Sequence, residues 1–340
     1  MQIKNKHIAI IVGVLILLAT IFYFASSRGK INVYADNMKT ENSLENNLDN
    51  KKELRILVAG DIMPDRHIRG QINKYHTAEN FVSTYLGNMK EVNSEYDYVM
   101  ANLEGPITEN KSKTLRSDGS YGKDLIFTFP TSSVQILKLL NIKVVSLANN
   151  HTDNFFRKGY EDTKKFLKKE NIKYFGNPYN EKENLSEVFC EKEICIAYIG
   201  YHQFTTNNSG EIISEEIKRV KENNLSDFTI VMPHWGIEYE KLSSQKQKDL
   251  ARGWIDVGAD MVIGAHPHVR QEVEIYKDKH IYYSLGNYIF DQWFSSEVKT
   301  GKVLDITFSK YKNEDGVEQK EIKLNDNKEV NITKELIKYR

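Results

Sequence analysis

The chain has 340 residues, with 47 basic and 47 acidic side chains and no formal net charge. It therefore lacks the basic excess that marks nucleic-acid binding. The length allows one large domain or two small ones with ample core, and 19 Tyr and 15 Phe supply apolar material for it. Lys4, Lys6, Arg28 and Lys30 have no acidic neighbour within the first 30 positions, which leaves the remainder mildly acidic.

Ile8 to Ala25 is an apolar run of 18 residues interrupted only by Thr20. As a helix it would be about 27 Å long, close to the hydrocarbon thickness of a bilayer. Lys4 and Lys6 in front of it favour a cytoplasmic N-terminus. Residues 1–30 are therefore expected to be a short cytoplasmic stub and an uncleaved single-pass membrane anchor. The rival reading is a cleaved signal peptide with Val33-Tyr34-Ala35 as its small-residue site. Either way the bulk of the chain lies outside the cytoplasm. Residues 31–52 form a flexible tether, rich in Asn, Glu and Lys from Asn37 to Asn50.

The folded domain is expected over 53–310, with 311–340 as C-terminal strands or an extension of it. Leu54–Ala59 is an apolar strand that runs into Gly60-Asp61-Ile62-Met63-Pro64-Asp65-Arg66. Helical character at 77–90 precedes a second strand, Tyr96–Ala101, ending in Asn102-Leu103-Glu104-Gly105. A long loop, 109–124, carries Lys111, Lys113, Arg116 and Lys123; excursions of this length inside a compact domain often contact ligand. A helix at 132–140 leads to a strand at 142–147, which ends in Ala148-Asn149-Asn150-His151. A helix at 158–170 and a strand at 172–175 follow. Cys190 and Cys195 then flank a hairpin turn at Lys192-Glu193, which sets them opposite each other, either as a cross-strand disulfide or as two buried thiols. After a charged helix at 211–223, the strand Phe228–Met232 ends in Pro233-His234-Trp235. A helix at 244–257 delivers the chain to the short strand Asp260–Ile263, where Gly264 lets the backbone leave the sheet. His266 and His268 follow at a spacing of two around Pro267, which stiffens the turn. Strands at 271–276, 280–284 and 304–308 complete the pattern.

Alternating strands and helices imply an α/β domain. In open α/β sheets ligands bind outside the carboxyl ends of strands. Those ends carry Asp61, Glu104, Asn150, His151, His234, His266 and His268. Singly, an Asp caps a turn and an Asn closes one. Together these carboxylates, amide and imidazoles form a mixed oxygen and nitrogen shell suited to Mn, Fe or Zn. With an ordinary imidazole pKa near 6.5, metal affinity is expected to fall as pH drops through that range.

The order of these motifs, from Gly60-Asp61-Ile62-Met63 through Asn149-Asn150-His151 and Gly264-Ala265-His266-Pro267-His268 to Gly286-Asn287, resembles the calcineurin-like metallophosphoesterases. More closely, over roughly Leu54 to Asp291, it is similar to the CapA (PgsA) family of poly-γ-glutamate capsule biosynthesis proteins. The resemblance implies two packed mixed sheets flanked by helices, a four-layer α/β/β/α arrangement. It implies one metal on Asp61 and His268, a second on Asn150, His234 and His266, Glu104 as the bridge, and His151 as catalytic proton donor. Phosphoesterases carry a histidine two residues after the first aspartate, where this chain has Met63, and usually bridge with an aspartate rather than Glu104. One ion, two or none are thus compatible with the pattern, and Asp65 and His67 are nearby substitute ligands. Three functions follow: a membrane component of poly-γ-glutamate synthesis or export that works with the polymer and with polymer-synthase membrane subunits; an active metal-dependent hydrolase of an envelope phosphoester or amide; and a metal-free scaffold. Deleting residues 1–30 should release a soluble protein that still folds. Aggregation of that truncation, checked by size-exclusion chromatography, would count against the anchor.

Overall fold

The computed structural model describes residues 51–114 and 125–339; the apolar run Ile8–Ala25, the Val33-Tyr34-Ala35 site, the tether and loop residues 115–124 lie outside them. Contacts divide the chain into two units, residues 1–51 with 310–319 and residues 52–309 with 320–340. In the first, the backbone turns at Gly316, and Val317 N donates to Asn313 Oδ1 at 2.8 Å. All the site residues discussed below lie in the second unit.

Its backbone begins with β1 (Lys52–Ile62), followed by helices α1 (Arg66–Tyr75), α2 (Ala78–Tyr85) and α3 (Met89–Asn93) and strand β2 (Tyr98–Leu103). Then come α4 (Ser133–Leu139), β3 (Ile142–Ser146), α5 (Phe156–Lys169) and β4 (Lys173–Phe175). The hairpin β5 (Ser186–Glu191) and β6 (Ile194–His202) leads to α6 (Glu211–Glu222), β7 (Phe228–His234), α7 (Gln245–Asp256) and β8 (Met261–Ile263). Strands β9 (Val273–Tyr276), β10 (Lys279–Tyr282), β11 (Asn287–Ile289), β12 (Thr300–Lys312), β13 (Glu318–Leu324), β14 (Lys328–Ile332) and β15 (Ile337–Tyr339) complete the chain.

The strands form two sheets. One has the order β15-β14-β12-β1-β2-β3-β4, with β11 also paired to β1 and β13 to β12; the other runs β5-β6-β7-β8-β10-β9. β1 to β4 are parallel, as are β6, β7, β8 and β10. Alternation along each strand sorts the side chains by face. Leu54, Ile56 and Val58 of β1 point into the apolar layer shared with Ile196, Tyr198, Ile230 and Met232 of the second sheet. Leu57 and Ala59 face outward onto Ile68, Ile72, Phe81 and Tyr85 of the helices. On the far side Ile199, Val231 and Val262 pack against Ile213, Ile217 and Trp254. The result is two mixed sheets flanked by helices, a four-layer α/β architecture.

Helix α1 and strand β11 are absent from the sequence reading. α1 buries only Ile68 and Ile72 among polar neighbours and contains Gly70, so its apolar stripe is too thin to stand out. β11 is three residues long and is held by parallel pairing to β1. Gly264 is needed for a different reason from the one expected. Its φ is unexceptional, but a Cβ there would lie 2.0 Å from Tyr283 O and 2.6 Å from Trp235 Nε1. The neighbouring strand passes too close for any side chain.

Cys190 and Cys195 are register partners in the hairpin and form a disulfide with Cα atoms 4.0 Å apart. Lys192 and Glu193 at the tip both have positive φ, 51° and 63°, the combination that matches a two-residue turn to the strand twist. As the chain has two cysteines, the unreduced protein should show no free thiol in a denaturing thiol titration. The enclosed loop is short, so reduction should cost well under the roughly 3 kcal/mol expected for a 15-residue loop.

Candidate metal centre

The parallel strands of both sheets release their chains at the same end, and the polar residues converge there. Asp61 ends β1 opposite Asn102 of β2 and Asn287 of β11, and Glu104 follows β2 directly. Asn150 and His151 lie in the turn after β3, whereas His234 ends β7 and pairs with His202 of β6. His266 and His268 follow β8 with φ of 98° and 58° on either side of Pro267. Two left-handed residues that are not glycine in one short turn mark backbone held under strain, which is typical of functional sites.

The side chains fall into two groups. In one, His234 Nε2 lies 2.8 Å from Asn150 Oδ1 and 3.2 Å from His266 Nδ1. In the other, His268 Nδ1 lies 3.3 Å from Asp61 Oδ2. Glu104 stands between them, its Oε1 3.7 Å from His268 Nε2 and 3.9 Å from His234 Nε2. Ligand-type atoms of Asp61, Glu104 and His234 all lie within 4.8 Å of one another. His151 is set apart, 4.2 Å from the Phe127 ring with Nδ1 near Asn154.

An amide network orients these ligands. Asn287 Nδ2 donates to Gln292 Oε1 and Val298 O, which turns its Oδ1 toward His268 Nδ1 at 3.0 Å. His268 therefore carries its ring proton on Nδ1, and the lone pair of Nε2 faces Glu104, the arrangement of a metal-ligating histidine with its outer partner. Asn102 Nδ2 donates to Asp61 Oδ1 at 2.8 Å, and Asn149 in turn donates to Asn102 Oδ1 at 3.1 Å. Asn149 Oδ1 also accepts from the backbone N–H groups of His151 and Thr152, which fixes the turn after β3.

Glu104 is fully buried, and neither of its carboxylate oxygens has a hydrogen-bond partner. Burial first, and the nearby Asp61 charge second, hold its carboxyl well above the ordinary range. Such a carboxylate is stable only when neutral or when a cation meets it. Burial also lowers the imidazoles: His234 well below its usual value, with the His266 charge contributing, and His266 and His151 to about 3. His234 and His266 are therefore neutral throughout the physiological range, so these two do not give the expected loss of metal near pH 6.5. The orphaned carboxylate, the lone pair facing it and the neutral imidazoles together fit a divalent cation.

Asp65 and His67 do not belong to this group. Asp65 pairs with Arg69 at 2.7 Å and accepts from Ser112, Thr114 and the Thr128 N–H, so it ties loops together. His67 packs edge-on against Trp293 and contacts Lys334 O. Met63 is buried in the helix-side core and leaves no ligand at its position. The sequence reading passed over Asn102, Asn149, Asn287 and His202. Asn102 and Asn149 lie in the same strand-end motifs as Glu104 and Asn150, whereas Asn287 follows Gly286 in a motif that carries no ligand. His202, with Nδ1 on Pro178 O and a buried, unpartnered Nε2, is revealed only by its register with His234.

Residues 55–292 match a family model described as bacterial capsule synthesis protein PGA_cap. The chain is 32% identical over 260 residues to a capsule biosynthesis protein CapA of Bacillus anthracis, covering 71% of this chain and 61% of that protein. It is 28% identical over 305 residues to a PGA biosynthesis protein CapA of Bacillus subtilis strain 168, covering 85% and 73%. The first alignment thus spans less than two thirds of the relative's length. Among solved structures, a hypothetical protein of Thermus thermophilus aligns over 80% of this chain and 100% of its own, with a TM-score of 0.44 and 16% identity.

In the metal-free protein Glu104 contributes a loss of stability as pH rises from about 4.5, because the folded state keeps its proton after the unfolded chain has released it. The buried imidazoles His234, His266 and His151 contribute in the opposite sense up to their ordinary value near 6.5, so the Glu104 contribution is read as the difference between the parent and a variant. Glu104→Gln removes this contribution and should make the metal-free protein about 1–3 kcal/mol more stable than the parent near pH 8, the scale of an unsatisfied buried group. Urea melts at pH 5 and pH 8 check it, and an unchanged pH slope would show that Glu104 is not the buried acid inferred here.

Proposed function

The chain belongs to the PGA_cap family of bacterial capsule synthesis proteins, and on that premise we propose that it is a membrane-anchored, extracytoplasmic component of poly-γ-glutamate capsule synthesis or export, with a divalent metal at the carboxyl ends of its two sheets. The observation that carries the metal is the fully buried Glu104 carboxylate with no donor to either oxygen. The capsule role is supported by the family match, which spans every candidate ligand from Asp61 to His268, and by its similarity to the two Bacillus CapA proteins.

The compartment is supported by the Cys190–Cys195 bridge, since disulfides persist in oxidising surroundings. Among the described residues no helix is long and apolar enough to cross a membrane, so the anchor assigned here is the apolar run at Ile8–Ala25. Partners in this reading are the membrane, the polymer and the polymer-synthase membrane subunits.

Asp61 and His268 would hold one ion, Asn150, His234 and His266 another, with Glu104 shared. A divalent ion bound there supplies Lewis-acid polarisation. The protein's own contribution is to keep His234 and His266 neutral, to fix the His268 tautomer through Asn287, and to keep water from Glu104. A second reading, a metal-dependent hydrolase of an envelope phosphoester or amide, is favoured by His151, which lines the same cavity as His268. Neutral near pH 7, its ring can accept a proton from, or share one with, a group entering that cavity.

Metal analysis of the purified full chain tests the proposal. Because Asn150, His234 and His266 form a shell that needs neither Met63 nor the bridge, that position should be the better filled. His234→Ala and His266→Ala should each weaken binding more than about 100-fold, beyond the roughly 10–100-fold typical of outer-shell changes such as Asn287→Ala. His268→Ala should retain part of the metal. A parent that takes up no Mn, Fe or Zn under any loading condition would leave the metal-free scaffold as the better account. Turnover by the isolated protein, abolished by chelator, would favour the hydrolase.

A further inference from the structure

We propose that Arg66 forms an oxyanion subsite at the edge of the metal centre, taking a carboxylate or phosphate group of the substrate. The choice of a polymer carboxylate rests on the capsule reading; the subsite itself does not.

A cavity of about 260 Å³ opens over the centre, and Arg66, His151 and His268 all line it. A group in contact with Arg66 is therefore beside a metal ligand. The guanidinium is held in one plane from several sides. It lies 5.1 Å from the Phe127 ring centroid and 5.6 Å from that of Phe290. One terminal nitrogen donates to Asp291 Oδ1, while Asp291 Oδ2 takes the His67 backbone N–H at 3.1 Å. Arg66 itself has φ of 50° at the first position of α1, a left-handed conformation that a residue of this kind seldom adopts.

All this support leaves one group unsatisfied: Arg66 Nε is buried and has no acceptor. Native proteins seldom leave a buried N–H unmatched without a reason. A planar guanidinium with a free N–H, clamped between aromatic rings, is the arrangement that recognises carboxylate and phosphate oxygens. Asp291 does not already fulfil that role for the whole group, because it engages through a terminal nitrogen only. Glu238, exposed on the rim of the same cavity, is the charge that opposes an incoming anion.

Isothermal titration of the full chain in detergent tests the subsite, using a short γ-linked glutamate oligomer and, separately, inorganic phosphate. Arg66→Ala should weaken binding about tenfold or more, the scale of one hydrogen bond to a charged group. Arg66→Lys keeps the charge but not the planar fork, and should lose most of that affinity as well. Glu238→Gln should tighten binding. Thermal melts establish that each variant is folded; if Arg66→Ala is not, Arg66→Lys decides. Loss of oligomer binding in the Arg66 variants supports both the subsite and the polymer. Arg66-dependent binding of phosphate alone keeps the subsite and removes the polymer from it. A parent that binds neither probe, or folded Arg66 variants that bind as tightly as the parent, overturns the proposal.

Discussion

A carboxylate cannot stay ionised in a dry interior without donors or a cation, and at the junction of these two sheets the protein buries Asp61 and Glu104 together. Asp61 is provided for: Asn102 donates to one oxygen and the His266 N–H approaches the other at 3.3 Å. Glu104 is not, and every neighbouring feature bears on that imbalance. The amides that could have donated to it are turned elsewhere, the His234 ring beside it is neutral, and the strained turn around Pro267 brings His268 to face it. Remove the acid and the same surroundings would be an ordinary polar seam between two sheets.

The arrangement separates the jobs of holding and of orienting. Side chains that can touch an ion come from the ends of β1, β2, β3, β7 and β8, whereas the orienting amides Asn102, Asn149 and Asn287 touch mainly one another, the backbone and the ligands. An amide both donates and accepts, so a chain of amides passes a fixed polarity from one strand end to the next. The lone pair of His268 Nε2 is set by Val298 O and Gln292, which act on it only through Asn287.

Much of this is legible in the sequence, for a physical reason. Strands buried on both faces are continuous apolar runs, and a polar cluster immediately after such a run has to sit at a sheet edge. That logic locates Asp61, Glu104, Asn150, His234 and His266 from the sequence alone. It fails where the signal is not local. α1 is a helix with two buried residues; β11 exists because the carboxyl end of β1 pairs with it; the need for Gly264 comes from Tyr283, just past the end of β10. His202 looks like the end of an apolar strand until its register with His234 is known. Arg66 closes a motif whose aspartate carries the local signal, and its own role depends on Phe127 and Asp291, which are distant in sequence.

The ligands are divided between the sheets: Asp61, Glu104 and Asn150 belong to the first, and His234, His266 and His268 to the second. A cation shared among them would act as a rivet between two layers whose common interior is otherwise apolar. Asp61 and His266 are 205 residues apart in sequence, so no early fragment of the chain contains a complete set. A centre built from all of them would be complete only after the last of these strands has docked. If folding finishes outside the cytoplasm, the metal that fills the centre is whatever that outer compartment supplies.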